Sequence, residues 1–97
     1  EAKNIVQSET LKILDERIEE ARQKVMDGKA SPILYFMELK RMDWEILSNY
    51  VGIWNIFVKR HAKPTVFSKL KESTLKKYAE AFEISVDELK NFDGNHN

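Results

Sequence analysis

The chain has 97 residues, of which 42% are hydrophobic and 33% charged, and its formal net charge at pH 7 is zero. This balance is typical of one helix-rich globular domain and is too apolar for intrinsic disorder. The absence of cysteine excludes disulfides, thiolate metal sites and cysteine nucleophiles. No apolar run approaches the roughly 18 residues of a membrane span, and no signal-peptide pattern is present. We therefore expect a cytoplasmic protein with no membrane partner. Because the chain begins with Glu1 rather than methionine, we expect it to be excised from a longer protein or processed at this end.

Residues 1–29 are predicted to form one amphipathic helix. Apolar residues recur at spacings of three and four along one face, and charged residues fill the other faces. Gly28 is the predicted stop signal of this helix. The apolar stripe either packs onto the rest of the domain or forms the seam of a homodimer, and it consists of Leu11, Leu14, Ile18, Ala21 and Val25.

A joint at residues 29–32 separates this helix from a run of shorter ones. Ser31 suits an N-cap and Pro32 the first helical position, where a missing N–H costs nothing. The helix that begins there should end near residues 40–41. Asp43 is a good N-cap for the next helix, which should reach residue 50. We expect its buried side to comprise Ile46, Leu47, Tyr50 and Val51.

A sharp turn and a second short helix follow at once. Gly52 supplies the backbone freedom that the turn needs. The helix after it should start near Trp54 and must stop before Pro64, because the residue preceding a proline disfavours the helical region. Residues 65–72 are predicted to be a connection. Ser73 is the predicted N-cap of another helix over residues 74–83.

The closing segment carries one more helix signal. Ser85 and Glu88 form the S-x-x-E pattern of a capping box, and the polar residues 93–97 are predicted to be a flexible tail. No segment shows the alternation of a strand. We therefore predict an all-α fold, with a compact five-helix domain over residues 31–92 preceded by one amphipathic helix over residues 1–30.

Two segments resemble the lambda-repressor-like (Cro and XRE type) helix-turn-helix family. They are ILYFMELKRMDWEILSNYVGIWNIFVKRH at residues 33–61 and TLKKYAEAFEISVDELKNF at residues 74–92. The resemblance covers about two thirds of the chain. The family closes with L-x-x-x-A-x-x-φ-x-φ-S-φ-x-E-L, where φ is apolar, and the matching residues here are Leu75, Ala79, Phe82, Ile84, Ser85, Val86, Glu88 and Leu89.

The resemblance implies a sequence-specific, often dimeric transcriptional regulator whose recognition helix, residues 54–61, enters the major groove of double-stranded DNA. The family positions that face bases fall on Asn55, Ile56 and Arg60, with Lys59 nearby. Asn pairs with adenine, Arg with guanine, and an apolar group touches a thymine methyl. Lysines further along would hold phosphates. The full predicted DNA-binding set is Trp54, Asn55, Ile56, Lys59, Arg60, Lys63, Lys69 and Lys71.

The charge distribution is uneven although the total is zero. Residues 59–77 carry seven Lys or Arg and one acidic residue, Glu72, whereas the balance after residue 78 is acidic. A local cationic excess favours phosphate binding at short range. The same lysines are equally consistent with an ordinary solvated surface.

The recognition helix departs from the family pattern. Trp54 stands where the family has Ser or Thr, and Ile56 and Phe57 stand where polar residues usually follow. These three side chains cannot all point inward on so short a helix, so we expect at least one to be exposed. Because exposed aromatics also anchor protein interfaces, the alternative hypothesis is a protein–protein interaction module on the same fold.

Catalytic patterns are missing from the sequence. The two histidines, His61 and His96, are far apart, and there is no HExxH motif or phosphate-binding glycine loop. No acidic pair is placed for general acid–base chemistry. We predict a protein that is not an enzyme and has no cofactor or metal site.

Overall fold

The computed structural model describes residues 16–94, and all the regular structure within that range is helical. The first helix, α1, occupies residues 16–26 of the described range. It is followed by α2 (Pro32–Leu39), α3 (Trp44–Val51), α4 (Asn55–His61), α5 (Pro64–Phe67), α6 (Glu72–Phe82) and α7 (Val86–Asn91). The predicted all-α fold class is confirmed for this part of the chain.

Local capping signals set several helix boundaries as predicted. The helix α2 begins at the pair Ser31–Pro32. At α3, the Asp43 carboxylate accepts a hydrogen bond from the backbone N–H of Ile46 at 2.7 Å. Ser85 and Glu88 form the capping box of α7. The Asp43 and Ser85 side chains satisfy N–H groups that have no partner within the first turn of a helix, whereas the Ser31 side chain makes no capping bond at α2.

The prediction of a plain connection over residues 65–72 is wrong in its first half. Pro64 begins the short helix α5, and Lys63 is its extended N-cap. Proline has its φ preset for a helix and lacks an N–H that the first turn would leave unpaired. Pro64, the residue before which α4 was predicted to stop, therefore starts the next helix. Residues 31–92 contain six helices rather than the five predicted.

The helix α6 begins earlier than predicted, at Glu72. Its N-cap is Lys71, which makes no side-chain capping bond. The backbone N–H of Leu75 donates to the Lys71 carbonyl at 3.0 Å, so the main chain alone starts the helix. Ser73 consequently lies inside the first turn, and its prediction as the N-cap is wrong.

The core is formed by one side of each of α2, α3, α4, α6 and α7. The buried residues of α6 are Leu75, Tyr78, Ala79 and Phe82. Aromatic rings pack against one another in the core. The centroids of Phe36 and Phe82 are 5.8 Å apart, and Tyr35 stacks on Phe92 at 4.2 Å. The largest fully buried side chains are Tyr78, Phe82, Ile33, Leu47, Leu89 and Val58.

The described part of α1 packs onto this core. Ala21 is buried in the core cluster, and Ile18 and Val25 lie against it, half-buried. The Arg22 guanidinium donates a 2.8 Å hydrogen bond from Nη1 to the carbonyl of Gly94, which joins α1 to the segment after α7. Leu11 and Leu14, the other two members of the predicted stripe, lie outside the described residues.

Within residues 16–94, no helix has the length and apolar character needed to cross a lipid bilayer.

The turn between α3 and α4 yields a stability prediction. Gly52 has a φ of +69°, and a Cβ built there meets nothing within 4 Å, so the penalty of a side chain comes from the backbone alone. Gly52→Ala should lower the free energy of unfolding by about 1–2 kcal/mol. Gly52→Asn should lower it less, because asparagine adopts the left-handed region more readily. Urea unfolding of the three proteins tests this order, and an alanine variant as stable as wild type would contradict it.

Candidate nucleic-acid interface

The α3–turn–α4 unit is held by hydrogen bonds across its turn. Gly52 is the left-handed C-cap of α3, and its N–H donates to the Ser48 carbonyl at 2.9 Å. The Ser48 hydroxyl donates to the carbonyl of Ile53. Trp54 then caps α4 with its backbone carbonyl, which accepts from the N–H of Val58 at 3.0 Å. The direction of α4 relative to α3 is fixed by these bonds.

The rotation of α4 about its own axis is fixed by its buried side. Val58 is completely buried, while Asn55 and His61, three residues away on either side, are half-buried. Residues at this spacing share one helix face. Ile56 and Arg60 therefore lie on the opposite face and point to solvent. Phe57 and Lys59 lie on the two flanks, about 100° from Val58, and all four side chains are exposed.

The end of α4 is tied to the start of α2 and to α6. Ser31, which is 1% exposed, donates its N–H to the Ala62 carbonyl at 2.7 Å and its hydroxyl to the His61 carbonyl at 3.0 Å. The His61 Nδ1 lies 2.6 Å from the Tyr78 hydroxyl. We call these four residues the α4 clamp. The clamp satisfies helix-end carbonyls that have no partner within α4.

The α4 clamp shifts the ionisation of both its titratable groups. Burial raises the pKa of Tyr78, so its hydroxyl keeps its proton and can donate it to Nδ1 of a neutral His61 ring. Burial, with a smaller effect from the Arg60 charge, lowers the pKa of His61 below its ordinary value of 6.5. The neutral imidazole is therefore the form that the fold favours at neutral pH.

The cations of residues 59–77 face solvent, and none of them forms a salt bridge with a carboxylate of residues 16–94. All seven Lys and Arg residues of the 59–77 segment are exposed. The two salt bridges among the described residues, Arg22–Glu19 and Lys90–Glu72, involve none of them. In addition, positions 46–71 contain no Asp or Glu, a signal that was readable in the sequence. The cations predicted to contact DNA therefore lie in a segment with no acidic residue of its own.

Apolar side chains accompany these cations on the surface. Trp54 is 77% exposed, Ile56 67% and Phe57 46%, so all three members of the alternative site are exposed. Tyr50, at 67%, and Ile46, at 41%, are exposed as well and line a shallow apolar depression with Asn49.

The predicted buried side of α3 is half wrong. Leu47 and Val51 are buried as expected, but Ile46 and Tyr50 face outward. Residues four apart share a helix face, whereas adjacent residues are rotated by about 100°. Once Leu47 and Val51 face the core, Ile46 and Tyr50 cannot. The spacing alone therefore offered two equivalent stripes, and packing selected one.

Asn55 differs from the other predicted base-contacting residues. It is half-buried, and its Oδ1 atom is buried with no hydrogen-bond partner among the described residues. Bidentate pairing with adenine needs both the oxygen and the amide nitrogen at the base edge. In this conformation the oxygen faces the protein, so adenine pairing requires the side chain to rotate.

Residues 16–94 contain no group of three or more His, Asp or Glu side chains placed to hold a metal ion. The sequence matches no protein-family model, and comparison with curated proteins and with solved structures gave no significant match. The likeness to lambda-repressor-like proteins therefore rests on the residue pattern alone.

The α4 clamp predicts a pH dependence of stability. Because the folded protein holds His61 at a lowered pKa, the unfolded chain binds the proton first as the pH falls below about 6.5. The free energy of unfolding should therefore decrease through this range. His61→Gln, which cannot titrate, should lack this part of the decrease. Urea unfolding of the wild-type protein and of His61→Gln at several pH values between 5 and 8 tests this prediction. If the free energies of unfolding of both proteins change in parallel with pH, the prediction is wrong.

Proposed function

We propose that the protein binds double-stranded DNA through α4 and acts as a transcriptional regulator of the helix-turn-helix type. The observation that carries this proposal is the exposed face of α4, where Lys59 and Arg60 continue into further cations with no acidic residue over positions 46–71. DNA-binding affinity comes largely from neutralised phosphates. The proposal retains the cytoplasmic location expected from the sequence.

Each predicted residue has a role in this proposal, and Ile56 contacts the methyl group of a thymine. Arg60 pairs with a guanine edge and Lys59 reaches an adjacent base or phosphate. Asn55 contributes to readout only after its side chain rotates outward. Trp54 stacks on sugar or base at the edge of the interface. The remaining contacts are to phosphates and position the protein without reading sequence; they come from Lys63, Lys69 and Lys71.

A dimer on two half-sites is part of the proposal. The described members of the α1 stripe pack against the core of their own domain, where Ala21 is buried and Ile18 and Val25 are half-buried. A seam along α1 would therefore depend mainly on Leu11 and Leu14. Sedimentation of the protein with and without DNA measures this state directly.

The DNA proposal predicts a steep salt dependence. With three or four phosphate contacts, the affinity for a mixed-sequence duplex should fall by about two orders of magnitude between 50 and 200 mM salt. Lys69→Glu combined with Lys71→Glu should weaken binding and reduce the slope of log K against log salt by about two. Fluorescence anisotropy of a labelled duplex measures both quantities.

The matched control for this experiment reverses the charge of two residues on α1, outside the α4 region. Arg17 and Lys24 are exposed on α1, so Arg17→Glu with Lys24→Glu changes the net charge by the same amount without touching the α4 region. This variant should keep most of the affinity. Equal losses in both double variants would mean that only net charge matters. No binding by the wild-type protein at about 50 mM salt would reject the proposal.

A second candidate function, a protein-interaction module, is favoured by one specific observation. Five large apolar side chains are exposed within residues 46–57, and large areas of exposed apolar surface typically mark a protein contact. The three anchors in this reading are Trp54, Ile56 and Phe57.

The two candidates respond differently to substitution. Ile56→Ser should abolish binding of a protein partner but only reduce DNA binding, whereas Lys69→Glu with Lys71→Glu should do the reverse. In the assay, each variant is immobilised and a nuclease-treated extract is passed over it. The proteins retained by each variant are then compared. A protein retained equally by wild type and Ile56→Ser would count against this second candidate.

A further inference from the structure

We propose that Met26, the last residue of α1, is a site of reversible oxidation by hydrogen peroxide. Conversion of its thioether to the sulfoxide opens the contact that joins α1 to the segment after α7. The site uses none of the residues proposed to bind DNA, so this inference goes beyond the proposed function and does not depend on it.

The side chain of Met26 is accessible, and its sulfur is held beside a fixed cation. The residue is 45% exposed, and its Sδ accepts a hydrogen bond from Arg22 Nη1 at 3.1 Å. The guanidinium is oriented by Glu19, whose carboxylate accepts from Nε at 3.1 Å and from Nη2 at 2.8 Å. Peroxide from solvent therefore meets this side chain next to a positive charge.

The oxidation chemistry suits this arrangement. A thioether is polarizable and only a weak hydrogen-bond acceptor, so the bond from Arg22 leaves the sulfur nucleophilic. The sulfur attacks one peroxide oxygen; the S–O bond forms, the O–O bond breaks, and the second oxygen leaves with both protons as water. Met26 is oxidised by two electrons and the peroxide is reduced. The neighbouring guanidinium stabilises the negative charge that develops on the leaving oxygen.

The same nitrogen of Arg22 also holds the segment after α7. Nη1 donates to the carbonyl of Gly94 at 2.8 Å. Gly94 is buried against α1, and a Cβ built there would lie 2.9 Å from the Arg22 carbonyl and 3.0 Å from the Met26 nitrogen, with the Met26 Cγ also in its way. The glycine therefore packs directly on α1. We call Arg22, Met26 and Gly94 the α1 latch.

Sulfoxide formation disturbs the α1 latch because its parts are in direct contact. An added oxygen has no room between Sδ and Nη1, which are 3.1 Å apart. The sulfoxide is also polar and a stronger acceptor than the thioether, so it draws the guanidinium toward itself. Either the Met26 side chain or the Arg22 guanidinium must move. Gly94 packs on the first and accepts a hydrogen bond from the second, so both movements weaken its attachment.

The chain carries its own controls for selectivity, since its three methionines differ in exposure. Met37 is 3% exposed in the core, and Met42 is half-buried against it. When the full chain is treated with hydrogen peroxide, Met26 should be oxidised first, Met42 later and Met37 last. Peptide mass spectrometry over a time course measures the three rates. Oxidation of Met37 or Met42 as fast as that of Met26 would overturn the assignment of the site.

The structural consequence is measured on protein oxidised only at Met26. Loss of a hydrogen bond from a charged donor should make hydrogen exchange in α1, residues 16–26, about tenfold faster. Treatment with a methionine sulfoxide reductase and a thiol reductant should restore the original rate. Unchanged exchange in the oxidised protein would show that the modification does not open the α1 latch, and the proposal would then be rejected.

Three variants test the route through Arg22. Met26→Leu keeps a similar apolar volume but cannot be oxidised, so its α1 exchange should not respond to peroxide. Met42→Leu, the matched control, should respond as the wild type does. Arg22→Leu removes the donor to Gly94, so its α1 exchange should be fast before oxidation and rise little after it. An equal rise in Arg22→Leu and wild type would contradict a role for the guanidinium.

Discussion

The arrangement of this domain depends on the hydrogen bonds that Ser31 makes to the end of α4. A helix end leaves carbonyls without partners, and a buried unpaired carbonyl is costly. Ser31 is itself buried and donates hydrogen bonds to two of these carbonyls, those of His61 and Ala62. The same residue begins α2. One position thus joins the start of the domain to the end of its candidate recognition helix, and this fixes which side of α4 faces solvent.

The exposed face of α4 has properties that folding alone does not require. Trp54, Ile56 and Phe57 add little to the core, since each is about half exposed or more, and exposed apolar side chains favour non-specific association. The adjacent cations have no salt bridges among the described residues. A surface that is both apolar and cationic fits a ligand that combines negative charge with apolar groups. Duplex DNA and an acidic protein surface both meet this description, and they differ in whether phosphates or side chains dominate the affinity.

Predictions from local signals were reliable where one residue determines its own backbone. Asp43 caps α3, Gly52 ends it, and the Ser85 capping box begins α7. Predictions failed where a local signal had a competitor. Ser73 offered a capping side chain, but the backbone of Lys71 began α6 first. The predicted connection after α4 became α5, because Pro64 is as suitable for starting a helix as for ending one.

The sequence by itself determined the all-α class, the α3–turn–α4 unit and the cationic segment, because these follow from periodicity, capping residues and composition within short windows. It also narrowed the candidate site to residues 54–71. Only the tertiary structure decided which stripe of α3 is buried, that Trp54, Ile56 and Phe57 are all exposed, and that the Asn55 oxygen faces inward. These features depend on how α3 and α4 are rotated against the core. For α4, that rotation is set by the burial of Val58 and by contacts with Ser31 and Tyr78, which lie far from α4 in the chain. Burial at such positions results from long-range packing, which helical periodicity cannot specify.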